Sequence, residues 1–399
     1  MLVNYLTYVM MAFAMLSFIS IAIGNVLLGI ATALFLVYVY KNGIKIEEEH
    51  KGYYYAYGFF VFTLLLSALF SGDLKKGLSE WANLCVWRAM PFFIITLAIK
   101  DAAGVKKILA ASLVGITIGF LCIGYQAYHG SFRAAGFYGH PMTFGGFLCI
   151  YLPLITVWFF ESLKLKNKQT IVSAVVLGLG LMAWLFNATR GAWVALAPVL
   201  LFIVGYYSWQ NKKVMALCLV MLCAGGFYLV NNIRFVQRTT SIVSKVDSSN
   251  SARFIFWNEA IKVFKEHPVL GVGLGQAKST IRKSKAYVPW FTHYHSNIFQ
   301  MMAENGLIGL LGYLCFAGWY CIKNFKDFLS DKYPQSLIIA ASTLSVFIHG
   351  LTEYNFGNSA VMKAYWLVIG ASFIIKNLIN KIDYQHIFFN KITRKESEK

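Results

Sequence analysis

The sequence predicts an all-α polytopic membrane protein with about twelve membrane-spanning helices and one long hydrophilic loop. Hydrophobic residues make up 58% of the 399 residues and charged residues only 13%, a composition that excludes an ordinary soluble domain. Apolar runs of about 20 residues, the length needed to cross ~30 Å of hydrocarbon, recur along almost the whole chain.

The apolar runs give the order of the spans. The first run begins at the N-terminus without the charged, apolar and small-residue pattern of a cleaved signal, so we interpret it as a span. The expected spans cover residues 3–20, 22–40, 53–71, 83–99, 107–128, 141–160, 169–187, 191–208, 213–230, 298–322, 334–353 and 358–377. We therefore expect residues 1–399 to form a single transmembrane domain, with a long loop at 231–297 between the ninth and tenth spans.

The distribution of Lys and Arg predicts the orientation. With the N-terminus inside, the inner connections and the C-terminal tail carry 20 of these residues, and the short outer connections with their flanks carry six. This bias predicts that both termini are cytoplasmic and that the long loop lies outside. The net charge of +19 is therefore mostly topological, and no basic-aromatic module for nucleic acid is present in the sequence.

The long loop is basic. It carries ten Lys and Arg against Asp247, Glu259 and Glu266. Such a loop attracts phosphate or anionic lipid, and a solvated basic surface is the alternative.

One amphipathic helix is expected inside the loop, in the segment SSNSARFIFWNEAIKVFKEHPVLG. Ser251 is the predicted cap and Pro268 the predicted end. Arg253 falls in the first turn, where the helix dipole disfavours a cation, so an anionic ligand would explain it. The following GVGLGQ predicts a turn and not a dinucleotide site. The spacing predicts one apolar stripe, formed by Phe254, Trp257, Ile261 and Phe264.

The seven cysteines form no CxxC and no Cys/His cluster, so we expect packing roles with no zinc site and no disulfide framework. The acidic residues expected on the outer side include no DxD pair, which argues against a metal cofactor.

Several motifs together resemble the O-antigen ligase/polymerase superfamily of bacterial membrane glycosyltransferases, and most of all O-antigen ligase. They are the FRAAGFYGHPMTFGGFL segment, ATRGAW, Arg253 with Trp257, HPVLGVGLG, the HYHSN segment with Gln300, and AENGLIGLLG. His293 and His295 match the two histidines of the family's HxHN-type motif. Glu304 and Gly306 match its E-x-G ending, and Ser296 stands where the family usually has Asn.

The resemblance implies a metal-independent glycosyltransferase of GT-C type in the bacterial inner membrane, with its active site facing the periplasm. Its donor would be an undecaprenyl-pyrophosphate-linked glycan. The acceptor is a sugar hydroxyl of lipid A–core in the ligases and a second lipid-linked glycan in the polymerases. Acceptor proteins occur in the related oligosaccharyltransferases, which are usually longer.

Such a reaction needs a base and a clamp for the leaving pyrophosphate. His295 is the expected base, since an imidazole is largely neutral at pH 7. His293 would orient the loop or the acceptor. Arg190 and Arg253 are the expected clamps because a guanidinium presents a planar fork to phosphate. Arg133 is a third candidate for the pyrophosphate. The expected supporting residues are Glu304, Glu353 and Asn297.

Each assignment has a plainer alternative. The histidines could make structural hydrogen bonds, the arginines could reach lipid headgroups, and Glu304 and Glu353 could form structural pairs. A transporter of lipid-linked glycans and a structural scaffold are the alternatives from other classes. A transporter would place its charged residues near mid-membrane, whereas these polar residues gather at one face.

Overall fold

The computed structural model describes residues 1–166, 168–209, 230–242, 247–283 and 292–379, together with 212, 215, 216, 226, 227 and 244. All regular secondary structure in these residues is helical, which confirms the all-α class. The helices are α1 (Leu2–Leu16), α2 (Ile21–Asn42), α3 (Glu48–Leu69), α4 (Leu74–Trp81), α5 (Met90–Leu97), α6 (Ala102–Tyr128), α7 (Pro141–Lys164), α8 (Gln169–Asn187), α9 (Arg190–Trp209), α10 (Ile233–Thr240), α11 (Ser248–Glu266), α12 (Ala277–Lys283), α13 (Asn297–Asp331), α14 (Pro334–His349) and α15 (Ser359–Ile379).

Eight helices in the described part of the chain are long and apolar enough to cross a membrane. They are α2, α3, α6, α7, α8, α9, α13 and α15, and each coincides with an expected span. Two further expected spans, 3–20 and 334–353, correspond to the shorter apolar helices α1 and α14. The ninth, 213–230, lies mostly outside the described residues.

The expected span 83–99 is not one continuous α-helix. A π-helical turn, Ala82–Trp87, follows α4 directly, and α5 begins only at Met90 with Pro91 in its first turn. Since proline lacks the amide hydrogen that a continuing helix needs, a new helix starts here. Hydropathy alone does not detect this break.

Local sequence explains where other helices begin. The side chains of Ser20, Asp73 and Asp101 cap α2, α4 and α6 by accepting a hydrogen bond from a backbone N–H in the first turn. Proline opens α7 and α14, where its missing N–H has no helical partner to lose.

Small residues allow the helices to approach closely. A Cβ on Gly115 of α6 would lie 2.3 Å from the Met15 carbonyl oxygen at the end of α1. On α7, a Cβ on Gly146 would lie 2.7 Å from the Val361 side chain of α15. Close backbone approach of this kind is the usual way in which membrane helices associate. It places α7 and α15 at the centre of the bundle, where most of each helix is buried.

The segment between α9 and α13 contains the helix that the sequence predicts, with two corrections. Asp247, and not Ser251, is its cap, because the Asp247 carboxylate accepts from the amides of Ser249 and Asn250 at 3.1 Å. Arg253 therefore lies in the second turn of α11. The buried face is also different, since Phe254 is 47% exposed while Phe256 and Ala260 are buried against Tyr294 and Ala303. Pro268 does follow the end of the helix, as expected.

Candidate functional site

Gly306 interrupts α13 and shapes the site. Its φ of 61° and ψ of −158° are not helical, and a Cβ there would lie 2.4 Å from the Val269 carbonyl. Glycine is the residue that adopts this conformation readily. The kink removes backbone hydrogen bonds from the helix, so the carbonyl and amide groups around it need other partners.

The loop after α11 supplies those partners. The amides of Val272 and Gly273 donate to the carbonyls of Ala303 and Glu304, each at 3.0 Å. In return, the amide of Leu307 donates to the Pro268 carbonyl at 2.8 Å. The GVGLGQ segment is a turn, as the sequence indicates, and its role is to dock on the kinked helix.

Glu304 holds the end of this loop. Its carboxylate accepts a 2.6 Å hydrogen bond from the amide of Ala277, where α12 begins. Ser67 of α3 donates to the backbone carbonyl of the same glutamate at 2.8 Å. The sequence predicts Glu304 as a supporting residue, with a structural pair as the alternative. In the structure its carboxylate instead anchors backbone next to the cavity.

The HYH segment before α13 alternates its side chains. Tyr294 is fully buried, its hydroxyl lies 2.7 Å from that of Thr280, and its amide donates to the Gln300 side chain at 3.0 Å. His293 and His295 point to the other side, with ring centroids 4.2 Å apart. The inward tyrosine thus fixes the two histidines that flank it.

His295 has an unusual backbone conformation. Its φ is 51°, in the left-handed region that non-glycine residues rarely adopt. Its amide donates to Nδ1 of His293 at 3.2 Å, which makes that nitrogen an acceptor. Burial, followed by the charge of His295, lowers the pKa of His293 to about 4, so the His293 imidazole is neutral at pH 7.

Glu353 connects His295 to Arg253. One carboxylate oxygen lies 3.7 Å from Nδ1 of His295, and the other lies 3.8 Å from Nη2 of Arg253. Burial alone would raise the pKa of Glu353, but the His295 imidazole and its charge lower it to about 2. Glu353 is therefore an ionised carboxylate that lies between the His295 imidazole and the Arg253 guanidinium, in the connection between α14 and α15.

Arg253 is fixed by further contacts. Its Nε donates to the Thr352 carbonyl at 3.1 Å, and its Nη1 donates to the Ser249 hydroxyl at 2.8 Å. The position of Arg253 early in the helix suggested an anionic partner. In the structure that partner is the Glu353 carboxylate, which faces Arg253 across the site.

Arg190 lies at the start of α9 and is buried. Its guanidinium donates to the carbonyl and hydroxyl of Ser241, at 2.8 and 2.9 Å, and to the Asp247 carboxylate at 2.9 Å. The arginine of the ATRGAW motif therefore ties the transmembrane helix to the segment that begins α11.

Arg238 lies in a cluster of four arginines with Arg133, Arg190 and Arg253. It was not singled out from the sequence. Its Nε donates to the Ala188 carbonyl at 3.1 Å, beside Arg190. Burial, then the charges of Arg133 and Arg190, lower its pKa to about 10. Burial and the Arg190 charge likewise lower the pKa of Arg133. The four arginines thus repel one another and outnumber the carboxylates that pair with them, an excess of positive charge that favours an anion.

Asn297 connects the start of α13 to the segment between α14 and α15. It is 1% exposed, and its side-chain oxygen accepts from the amide of Phe356 at 3.1 Å. Its side-chain nitrogen donates to the Tyr313 hydroxyl at 2.9 Å, and its amide donates to the Gly350 carbonyl at 2.7 Å. These bonds hold the start of α13 against the connection that carries Glu353.

A cavity of about 660 Å³ opens at this end of the bundle, where α7, α13 and α15 begin. This size is typical of a small-molecule site. Its lining includes His293, His295, Glu304 and Glu353, while Arg253 reaches it through Glu353. Sequence positions far apart in the chain therefore meet at one cavity. Others that line it are Lys76, Glu80, His140, Lys278, Tyr354 and Asn358.

Three of the lining residues could also hold a metal ion. The donor atoms of His293, His295 and Glu353 lie within 4.8 Å of one another. Two imidazoles and a carboxylate suit a divalent transition metal. The expectation of a metal-free site is thus open to a direct test.

Comparisons with known proteins agree with the motifs. Residues 174–314 match a family model described as O-antigen ligase. A ComP-specific O-oligosaccharyltransferase of Acinetobacter baylyi is 25% identical over 318 residues, 72% of this chain and 55% of that protein. The chain thus spans about half the length of that relative.

Two further relatives have similar identity. An uncharacterised protein of Haemophilus influenzae is 25% identical over 327 residues, 74% of this chain and 79% of that protein. A putative polysaccharide ligase of Rickettsia conorii is 25% identical over 130 residues, 31% of this chain and 30% of that protein. These findings confirm the resemblance to the O-antigen ligase family, and the matched region contains Arg190, Arg253 and His295.

Proposed function

We propose that this protein is a periplasm-facing glycosyltransferase of the O-antigen ligase type, with a GT-C-like fold. It moves a glycan from an undecaprenyl-pyrophosphate carrier to a sugar hydroxyl of lipid A–core. The observation that carries the proposal is the connected set His295, Glu353 and Arg253 at one cavity, beside a cluster of arginines. The family match supports the reaction class.

The proposed step is a direct displacement with inversion. The acceptor hydroxyl oxygen attacks the anomeric carbon, and the bond from that carbon to the pyrophosphate oxygen breaks. The hydroxyl proton passes to Nε2 of His295, and the electron pair of the broken bond stays on the pyrophosphate. Glu353, on the Nδ1 side of the ring, stabilises the imidazolium that forms, as the acidic member of a catalytic triad does.

The arginine cluster is assigned to the leaving group. It consists of Arg133, Arg190, Arg238 and Arg253, and the carboxylates of Asp247 and Glu353 offset only part of its charge. Because the charge of Arg190 contributes to lowering the pKa of Arg133, Arg238 and Arg253, a pyrophosphate between these groups would relieve their repulsion as well as gain charge-assisted hydrogen bonds. Fixed cations aimed at developing charge are a major source of rate enhancement.

The arginines make a metal unnecessary in this scheme. A chelator should leave the rate unchanged. Added Zn²⁺ should inhibit by occupying the His293, His295 and Glu353 donors. Loss of activity in chelator that returns with a divalent ion would refute the metal-free scheme.

A second acceptor class has specific support. The relative from Acinetobacter baylyi is named as an O-oligosaccharyltransferase specific for ComP, so a protein hydroxyl is a candidate acceptor here. A polymerase, in which a second lipid-linked glycan is the acceptor, is the other alternative. All three reactions use the same donor chemistry at His295 and the arginines.

A cellular experiment tests the proposal and separates a ligase from a polymerase. A strain lacking the native protein is complemented with wild type, His295→Ala or His129→Ala, the last being an exposed histidine at the end of α6. Membrane levels are matched by blotting. For a ligase, His295→Ala leaves bare lipopolysaccharide core with polymer on the carrier, and His129→Ala gives a normal ladder. A single repeat unit on the core would indicate a polymerase, and a normal ladder from His295→Ala would refute the base assignment.

A further inference from the structure

A second cavity, of about 850 Å³, lies at the opposite end of the bundle, where α7 and α15 end and α6 and α14 begin. Its wall is mainly apolar and includes Leu109, Leu113, Leu154, Val157, Ile338 and Ile375. The cavity shares no lining residue with the proposed active site. Its volume falls within the ~300–1,000 Å³ typical of ligand pockets.

Two polar side chains inside this cavity have no partner among the described residues. Both the oxygen and the nitrogen of the Gln335 carboxamide are buried without a hydrogen bond, and the side chain is 1% exposed. The Ser372 hydroxyl, on a residue that is also 1% exposed, is in the same state. Leaving a buried polar group unpaired costs about 1–3 kcal/mol, so the cavity favours a ligand with polar atoms at this depth.

Charged side chains also line the cavity. They are Lys106, Lys164 and Lys332, with Glu161 and Asp331 as the acidic members. Glu161 is already engaged by Lys164 at 3.1 Å and by the Tyr207 hydroxyl at 2.7 Å. Lys332 is exposed, at the junction of α13 and α14. The set carries one excess positive charge, which complements a single anionic group.

We propose that this cavity binds one anionic phospholipid of the surrounding leaflet. An acyl chain occupies the apolar section, an ester group meets Gln335 and Ser372, and the phosphate meets Lys332 and Lys106. The apolar wall requires a hydrocarbon chain, the unpaired amide and hydroxyl require a polar group beneath the headgroup, and the lysines require an anion. A phospholipid supplies all three in that order.

The test uses the purified full-length protein in detergent with phosphatidylglycerol as the probe and native mass spectrometry to count bound lipid. Leu113→Trp fills the cavity, and Val114→Trp is the matched control because Val114, on the next position of α6, is 51% exposed. We expect Leu113→Trp to weaken binding by at least about ten-fold, whereas Val114→Trp stays within about two-fold of wild type.

A second variant covers the case in which Leu113→Trp fails to fold. Lys332→Glu changes an exposed side chain, and loss of a charge-assisted contact should weaken phosphatidylglycerol binding by about ten-fold. Inorganic phosphate is titrated in parallel. Equal binding of phosphate without an acyl chain would replace the lipid with a free anion, and undiminished lipid binding in Leu113→Trp or Lys332→Glu would overturn the proposal.

Discussion

Replacing Glu353 with glutamine isolates the electrostatic part of the proposed mechanism. The substitution keeps the shape of the side chain and removes the charge that lies 3.7 Å from His295 and 3.8 Å from Arg253. At these distances, and with an effective dielectric constant of about 20, each pair is worth about 4 kcal/mol before solvent relaxation. We expect roughly 2–4 kcal/mol of transition-state stabilisation to be lost.

That loss corresponds to a decrease in kcat of about 30- to 700-fold, since each ~1.4 kcal/mol changes a rate ten-fold. The assay is glycan transfer by purified protein in detergent, at saturating donor and acceptor. Glu266→Gln, at the exposed end of α11, is the matched control and should keep the wild-type rate.

A purely structural role for Glu353 would not alter the pH profile. In our scheme the carboxylate favours the protonated imidazole, so Glu353→Gln should move the acid limb of the pH–rate profile to lower pH. A rate within about two-fold of wild type, or a reduced rate with an unmoved profile, would refute this reasoning.

Three other perturbations test the geometry and electrostatics of the site. Arg238→Ala should raise the donor KM by about 10- to 100-fold, because a charge-assisted contact is worth ~1.5–3 kcal/mol. Arg234→Ala, at an exposed position of the same helix, should change the KM little in the same assay. Gly306→Ala should lower the thermal midpoint, with a loss of about 1–3 kcal/mol, while Gly318→Ala, with nothing within 4 Å, should not. Between pH 6.5 and about 4, His293 binds fewer protons in the folded protein than in the unfolded chain. The free energy of unfolding should therefore fall by on the order of 3 kcal/mol as pH decreases through that window. The variant His293→Gln should reduce this dependence in thermal melts recorded at each pH.

Much of the fold follows from local sequence because membrane helices need long apolar runs. Eight expected spans coincide with helices of sufficient length. The broken span at 83–99 was missed because mean hydropathy is the same for one helix and for two pieces separated by a π-helical turn. The count of twelve, the orientation and the cytoplasmic termini stay predictions.

The prediction of the apolar stripe of α11 was wrong for a related reason. The 3-4-3 spacing of large side chains selected Phe254 and Trp257, but the buried face is built on Phe256 and the small residue Ala260. Trp257 instead stacks on Phe299, with ring centroids 4.9 Å apart. Small residues at a close helix contact contribute little to hydrophobic periodicity, so the spacing of large side chains does not reveal them.

The candidate site was partly accessible from sequence. The structure brings together four of the predicted site residues, which the sequence places on the same outer face. They are His293, His295, Arg253 and Glu353. Their catalytic roles stay predictions. Arg238 carried no signal, because it is one of ten basic residues in the loop and its neighbours come from distant parts of the chain.

The role of Glu304 also depends on tertiary structure. Its partner is the backbone of Ala277, brought close by the kink at Gly306 and the docked turn that follows α11. Glycines of AENG and GVGLGQ were the available signal. Gly271, Gly273 and Gly306 have positive φ, and a Cβ on each would lie 2.5 Å or less from the backbone of another segment.

The most direct test of the central claim is turnover by the purified protein in detergent, with a polyprenyl-pyrophosphate-linked glycan as donor and no second compartment. We expect release of the carrier pyrophosphate coupled to glycan transfer, with the rate reduced by about 10²–10⁴ in His295→Ala and unchanged in His129→Ala. Transfer by His295→Ala at the wild-type rate would contradict the proposed mechanism, and so would the absence of turnover in wild-type protein that binds the donor.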